Sequence, residues 1–430
     1  MVRPYRGKLR CGERTSCVTV WGVADTSHTS RTQNELTVRS VEEADWPAMA
    51  LVAATCFGVW QPPEAVEAWR SMMPPGSAVV ACDGPDVVGT AVFLDLSVTV
   101  PGGTVLPMAG VSWVAVLPTH RRRGALRKMF EELHARMAAK SYPLAGLEAS
   151  EAGIYGRFGY GPAAVLHRRS VDRRAAGFHH GVPDPGGVRV VRAAEHRDKL
   201  EEIYERWRLQ TPGGLHSPRA LWDEVLADRE IFRGGGSAYF CLLHADGFAM
   251  YRVHSGDQKS TVEVTKLTAV TPQAHIALWR ALLGMDLMAT INVATTRDDV
   301  LPYLLTDHRL VRTTGVEDAL WLRMIDIPAV LQARSYSAEL SVVLDVSDGV
   351  LGGGGRFALE VRGGRVRCVP TDAPADAHLD LSVLGSLYMG AHRPSAFATA
   401  ERLRCSDSAV VAGLDAAFAT DVPAELGYGF

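Results

Sequence analysis

The sequence predicts a chain of mixed α/β and α+β class. It reads as two tandem α/β units of like element order, the second a degenerate copy, followed by a smaller α+β unit. Three observations carry this expectation. A strand, a basic turn and a helix run together from Val114 to Arg127. A second stretch of the same order opens a helix on Ala269-Val270-Thr271-Pro272, as the first does on Ala115-Val116-Leu117-Pro118. After Asp326-Ile327-Pro328 the chain changes to strands separated by glycine clusters, then to helices, which implies a separate α+β unit.

Length and composition frame these units. A chain of 430 residues exceeds one ordinary core, so two or three domains are expected. Hydrophobic residues at 47% and charged residues at 22% fit a globular protein rather than a disordered one. The formal charge of −3 argues against a general nucleic-acid binder. No run of eighteen apolar residues suggests a membrane span, and the basic start lacks a signal peptide's apolar core, so a cytoplasmic location is expected, with secretion by a non-classical route left open. Seven scattered cysteines without a CxxC pair predict reduced thiols and no metal site.

The elements follow in order. Residues 1–36 lack periodicity and read as a disordered tail. Leu36 to Val41 predicts a strand, Asp45 to Phe57 and Glu64 to Met72 two helices, and Ala78 to Cys82 and Val87 to Val100 antiparallel strands. Gly110 to Leu117 is a short, β-branched, buried strand. The helix after it carries an apolar stripe of Leu126, Met129, Phe130, Leu133 and Met137. Leu144 to Ala149 and Glu151 to Phe158 add a strand and a short helix, closing a first domain at 37–182. The second, 183–326, has strands at Val188 to Arg192, Ala238 to Leu243, Gly247 to Val253 and Val262 to Val270, and helices at His196 to Leu209 and around Trp222. In the third, 327–430, Leu340 to Val346, Arg356 to Val361 and Arg365 to Val369 predict strands, and Ser382 to Met389, Ser395 to Leu403 and Ser408 to Phe418 helices.

The turn Arg121-Arg122-Arg123-Gly124 has the makings of a diphosphate cradle. A helix N-terminus presents N–H groups without intrahelical partners, and its dipole favours an anion. Gly124 would let the backbone approach a ligand, and the arginines would add charge-assisted bonds. The three-glycine spacing of a dinucleotide fold and the Gly-Lys-Ser/Thr of a Walker loop are both missing. Read alone, the same residues also fit a solvated arginine run ahead of a helix. In the second copy, Gln273-Ala274-His275-Ile276-Ala277 follows Thr271-Pro272 without arginine or glycine, so that copy is expected to pack without holding the ligand.

These stretches, together with Ile154-Tyr155-Gly156-Arg157-Phe158-Gly159-Tyr160-Gly161-Pro162, Ile203-Tyr204-Glu205-Arg206-Trp207-Arg208 and Leu384-Gly385-Ser386-Leu387-Tyr388-Met389-Gly390-Ala391-His392-Arg393, resemble the Eis (enhanced intracellular survival) acetyltransferases of actinobacteria from about Leu36 to Phe430. The resemblance implies two GNAT (N-acetyltransferase) domains, the second without a cradle, and a sterol-carrier-like domain. It implies transfer of acetyl from acetyl-CoA to amines, including aminoglycosides, polyamines and lysine side chains, by a homohexamer. It also implies that the Phe430 α-carboxylate is the base and Tyr155 the proton donor to the leaving thiolate. Acetyl-CoA contacts are implied for Val114, Ala115, Val116, Arg121, Arg122, Arg123, Gly124, Ala125, Leu126, Arg127, Ser150 and Glu151. Amine-pocket positions fall at or near Phe57, Trp69, Arg70, Ser112, Trp113 and Trp222.

Without the resemblance, Phe430 reads as an apolar plug, Tyr155 as a core tyrosine, and Glu151 as a helix-capping residue. The resemblance implies acidic residues at the positions of Val59 and Gly429 in the mycobacterial members, and this sequence departs from that pattern. The rival class is a lipid-binding or partner-binding protein that uses the GNAT units as scaffold.

Overall fold

A computed structural model describes residues 35–256 and 260–430. The expectation for the tail therefore lies, for residues 1–34, outside the described residues, as do Cys11 and Cys17. Leu36 is buried, and Lys128 donates to its carbonyl oxygen at 3.0 Å, so residue 36 packs with the first unit.

Up to residue 172 the elements are β1 (Thr37–Ser40), α1 (Trp46–Phe57), α2 (Pro63–Arg70), β2 (Ala78–Asp83), β3 (Asp86–Thr99), β4 (Val105–Val116), α3 (Ala125–Ala139), β5 (Leu144–Leu147), α4 (Ala152–Tyr155), β6 (Gly161–Pro162) and β7 (Val165–Asp172). Next come β8 (Arg189–Val191), α5 (Arg197–Arg208), α6 (Arg219–Ala227), β9 (Phe240–His244), β10 (Gly247–His254), β11 (Ser260–Ala269), α7 (Pro272–Leu283), β12 (Met288–Thr295), α8 (Leu301–Leu304), β13 (Val311–Asp318) and β14 (Trp321–Met324). The C-terminal unit holds α9 (Ile327–Ala333), β15 (Leu340–Ser347), β16 (Gly355–Arg362), β17 (Arg365–Pro370), β18 (Ala377–Asp380), α10 (Leu381–Tyr388), α11 (Pro394–Thr399), β19 (Leu403–Cys405) and α12 (Ser408–Phe418).

Among the described residues these strands form three sheets, ordered β1-β2-β3-β4-β5-β14-β6, β13-β7-β12-β11-β10-β9-β8 and β17-β16-β15-β18-β19. The first two sheets exchange strands across residue 182. β14 inserts antiparallel between β5 and β6, with Trp321 opposite Leu147, while β7 crosses into the second sheet between β12 and β13. The exchange satisfies backbone groups along β5 that a lone first unit would leave as an open edge.

The helix expected over Ser395 to Leu403 is shorter: α11 stops at Thr399, Glu401 takes a left-handed φ of 58°, and Leu403 enters β19 against β18. All eight residues of α10 are buried, and the helix packs on β6 and β14. The apolar helix of the third unit therefore covers the first unit's sheet. Arg334, 2% exposed, fills the third core by donating to the carbonyls of Tyr388 (2.7 Å) and Phe418 (3.2 Å).

Candidate active site

β4 and β5 open a notch. They pair in parallel only from Met108 to Val111 against Leu144 to Leu147, and beyond that β4 runs on through Val116. An extra residue on β4 drives the divergence: Thr90 pairs with Ala115 but Val92 with Ser112, a bulge at Trp113-Val114. Trp113 there adopts φ 52°, rare for a bulky side chain, and its ring meets Trp46 edge-on at 6.2 Å. Bulges bend their strand and re-aim its groups. Here the bend frees the Val114 to Val116 backbone from a β5 partner, where it can bond a ligand.

α3 begins just beyond the β4 end. Gly124 is its N-cap at φ 85°, and Arg122 lies at φ 63°. A Cβ on Gly124 would meet nothing within 4 Å, so the glycine is required by its left-handed backbone rather than by crowding, and the space above it stays open. Arg121, Arg122 and Arg127 are exposed, and Arg127 also pairs with Glu131 at 2.8 Å. Arg123 donates to Asp83 at 2.8 Å and holds that carboxyl below its usual range, so its guanidinium anchors the turn to the end of β2. Ala125 is buried in the core and can offer only its backbone to a ligand; Leu126 is half-buried beside it.

α7 starts differently. Thr271 caps it, accepting from the Ala274 amide at 3.2 Å, and Pro272 at the first position has no N–H. The second helix thus satisfies itself where the first stays open.

Tyr155 ends α4 and is 5% exposed, with its ring 6.0 Å from that of Phe130. Burial raises the phenol's pKa, and the polar influence of Ser150 draws it partly back. The phenol therefore keeps its proton near neutrality, as a donor must. Glu151 stands at the N-cap position of α4, but its side chain makes no capping bond, which corrects the expectation that it caps. Tyr160 is fully buried and bonds His134 Nε2 at 2.9 Å; His134 Nδ1 in turn donates to the Phe130 carbonyl at 2.7 Å. That network backs the ring on which Tyr155 rests.

Phe430 arrives from the far end of the chain. The residue is 7% exposed within the cluster that contains Leu96 and Leu426, and Trp69 packs on the same cluster. Its amide donates to Glu148 Oε1 at 2.7 Å. Glu148 immediately follows β5, and burial raises its pKa against the pull of that N–H. Glu148 thus holds Phe430 at the end of β5, two residues before Ser150, whose influence reaches the Tyr155 phenol. A Cβ on Gly429 would lie 2.8 Å from Glu148 Oε1, so the side-chain space at position 429 is taken by the Glu148 carboxylate. From the sequence, Glu148 enters only as a substitute base near the strand end should Phe430 prove a plug, and its role as the partner of the Phe430 amide is not legible there.

The expected amine-pocket residues scatter. Ser112 and Trp113 lie on the bulged β4, half-buried, and Phe57, also half-buried, ends α1. Arg70 is drawn outward, bonding Glu43 at 2.9 Å and stacking on Trp46 at 4.2 Å. Trp222 is a core residue instead: it is 7% exposed and packs edge-on against Tyr204 at 5.7 Å. Its helix α6 nonetheless contacts α2, joining the second unit to the wall that carries Trp69.

Among the described residues no group of three or more His, Cys, Asp or Glu side chains could hold a metal ion, and no helix is long and apolar enough to cross a membrane.

A splayed parallel strand pair with an uncapped helix N-terminus at its mouth defines the GNAT class of acetyltransferases. Family models agree: residues 37–163 and 213–324 each match an acetyltransferase (GNAT) domain, and 327–425 match a sterol carrier protein domain. Over 406 residues the chain is 53% identical to N-acetyltransferase Eis of Mycobacterium tuberculosis, covering 92% of this chain and all of that protein. An uncharacterized N-acetyltransferase of Streptomyces avermitilis is 32% identical over 91% of this chain and 99% of its own. The crystal structure of Eis1 from Mycobacterium abscessus superposes with a TM-score of 0.82 at 30% identity, covering 92% of this chain and all of that one. The chain belongs to the Eis family of N-acetyltransferases.

Proposed function

We propose that the protein moves acetyl from acetyl-CoA to primary amines of small polycations, aminoglycosides and polyamines among them, and to lysine side chains, with the Phe430 α-carboxylate as base and Tyr155 as acid. The Val114–Val116 backbone and the open N-terminus of α3, with Arg121, Arg122 and Arg127, hold the coenzyme; Ser150 and Glu151 line its reactive end.

The amine nitrogen attacks the thioester carbonyl carbon. The N–C bond forms as the C–S bond breaks, the Phe430 carboxylate takes the amine proton, and Tyr155 protonates the departing sulfur. Backbone N–H groups of the bulged β4 would stabilise the developing oxyanion. An α-carboxylate is ordinarily a weak base, with a pKa below about 4, and would serve better where partial burial raised that value or where water relayed the proton.

The observation that carries this reading is the return of the chain end to the β5 end, where Glu148 Oε1 accepts the Phe430 amide at 2.7 Å. For the acceptor, Glu148 supports a cation, because it adds a carboxylate beside Phe430 and makes up for the acidic group missing at Gly429. The lipid-binding alternative loses support from α10, whose apolar residues are spent on β6 and β14. A mass-spectrometric screen of diamines, aminoglycosides and lysine peptides with acetyl-CoA tests the proposal; absence of acetylated product from every amine would overturn it. We further propose a closed homo-oligomer, a hexamer by resemblance, which light scattering would refute by returning a 46.5 kDa monomer.

A further inference from the structure

The second unit holds no cradle, yet it grips the C-terminal segment. Residues 425–427 run beside the loop after α5: the Glu425 amide donates to the Pro212 carbonyl at 2.9 Å and the Gly427 amide to the Gly213 carbonyl at 3.2 Å. That loop is itself bonded to the end of β3, Gly213 to Thr99 at 2.8 Å and His216 to Ser97 at 3.1 Å. Across the segment, Lys266 of β11 reaches in. Its ammonium donates to the Gly427 carbonyl at 2.9 Å, lies 3.6 Å from the Glu425 carboxylate, and sits over the Trp207 ring at 4.3 Å. Lys266 and Glu425 side chains are each only 23% exposed, and a half-desolvated cation that meets a carbonyl, a carboxylate and an aromatic face is held in one place.

We infer that Lys266 is a positioning residue for the reaction: it clamps residues 425–427 and thereby sets where the Phe430 carboxylate stands. Phe430 lies three positions beyond Gly427, a reach of at most about 10 Å in an extended chain, so fixing the former confines the latter to the notch. Glu148 then needs only to complete the alignment by taking the Phe430 amide. The cradle-less unit contributes to catalysis by holding the end of the chain that the first unit uses. The inference rests on the proposed role of Phe430, and its test separates the two.

The experiment compares wild type, Lys266→Met, Lys266→Arg and Glu425→Gln. The first measurement is the rate at which a carboxypeptidase selective for aromatic termini releases Phe430; the second is kcat and KM with acetyl-CoA and a diamine. Lys266→Met is expected to speed release at least tenfold and to lower kcat about tenfold, with KM for acetyl-CoA unchanged. Lys266→Arg, which keeps the cation, is expected to restore both within about threefold. Glu425→Gln removes the ion pair but not the carbonyl contact and is expected to fall between, which keeps the test alive should the methionine variant fold poorly. Release rates unchanged in both Lys266→Met and Glu425→Gln would overturn the clamp. Faster release with unchanged kcat would leave the clamp standing and overturn the role of Phe430 as base.

Discussion

Glu148 Oε1 accepts the Phe430 amide at 2.7 Å, a bond that spans 282 residues of sequence and joins the end of β5 to the end of the chain. Its removal separates anchoring from charge. Glu148→Gln keeps an amide oxygen able to accept from Phe430 and should retain most of the turnover on a monoamine. Glu148→Ala leaves the N–H without that partner and should lower kcat at least tenfold, read by steady-state kinetics at constant acetyl-CoA affinity. Equal activity in both variants would deny Glu148 an anchoring role.

The assigned acid and base should respond alike. Amidating Phe430, or appending residues to it, should reduce kcat by roughly 10²–10⁴-fold, and Tyr155→Phe should do the same while keeping the ring that packs on Phe130. Phe430→Leu, which keeps the carboxylate, should be milder than amidation. If only loss of the aromatic ring matters, Phe430 is a plug.

The two helix starts should separate cofactor binding from stability. Arg122→Ala should weaken acetyl-CoA binding with little change in melting temperature, because its side chain is exposed. Thr271→Ala removes the α7 cap and should destabilise the fold by about 1 kcal/mol without touching acetyl-CoA affinity. Calorimetric titration and thermal melts on both variants check the contrast; equal effects on affinity would contradict it.

His134 gives a pH dependence with a definite sign. Burial depresses its pKa to about 4, whereas in the unfolded chain it protonates near 6.5. Between those values the unfolded state binds the extra proton, so this contribution is complete above pH 6.5 and is lost as pH falls towards 4, by roughly 3 kcal/mol at most. Thermal melts from pH 7 to pH 5 should show a shallower decline for His134→Asn than for wild type, and parallel declines would sink the argument.

Much of the fold was legible because its cues are local. The apolar stripe of α3, the Asp-Gly turn between β2 and β3 and the Pro-Thr-His-Arg-Arg-Arg-Gly turn each declare themselves within a dozen residues. The strands that escaped are those whose partners are remote. β7 reads as the polar run Val165–Asp172 until β12 and β13 flank it, and β14 is only four residues inserted into a sheet built elsewhere. The site divided the same way. The cradle is contiguous and was read from its turn, although the left-handed backbone at Gly124 was not legible there. The Glu148–Phe430 contact follows no sequence period, because it is made by a chain end returning across three units. Trp222 shows the converse: an isolated aromatic matched to a pocket sits in a core, where most aromatics go.

The placement of β14 bears on how the molecule comes into being. Because Leu147 pairs with Trp321, the sheet that carries the notch cannot be finished until the ribosome has passed residue 324, after the whole of the second unit has emerged. Until then β5 is an exposed apolar edge awaiting a distant partner, the kind of non-local closure that slows folding and invites aggregation. Synthesis truncated anywhere before β14 should therefore yield insoluble chains rather than a small working acetyltransferase, and catalytic competence becomes a property of the completed polypeptide alone.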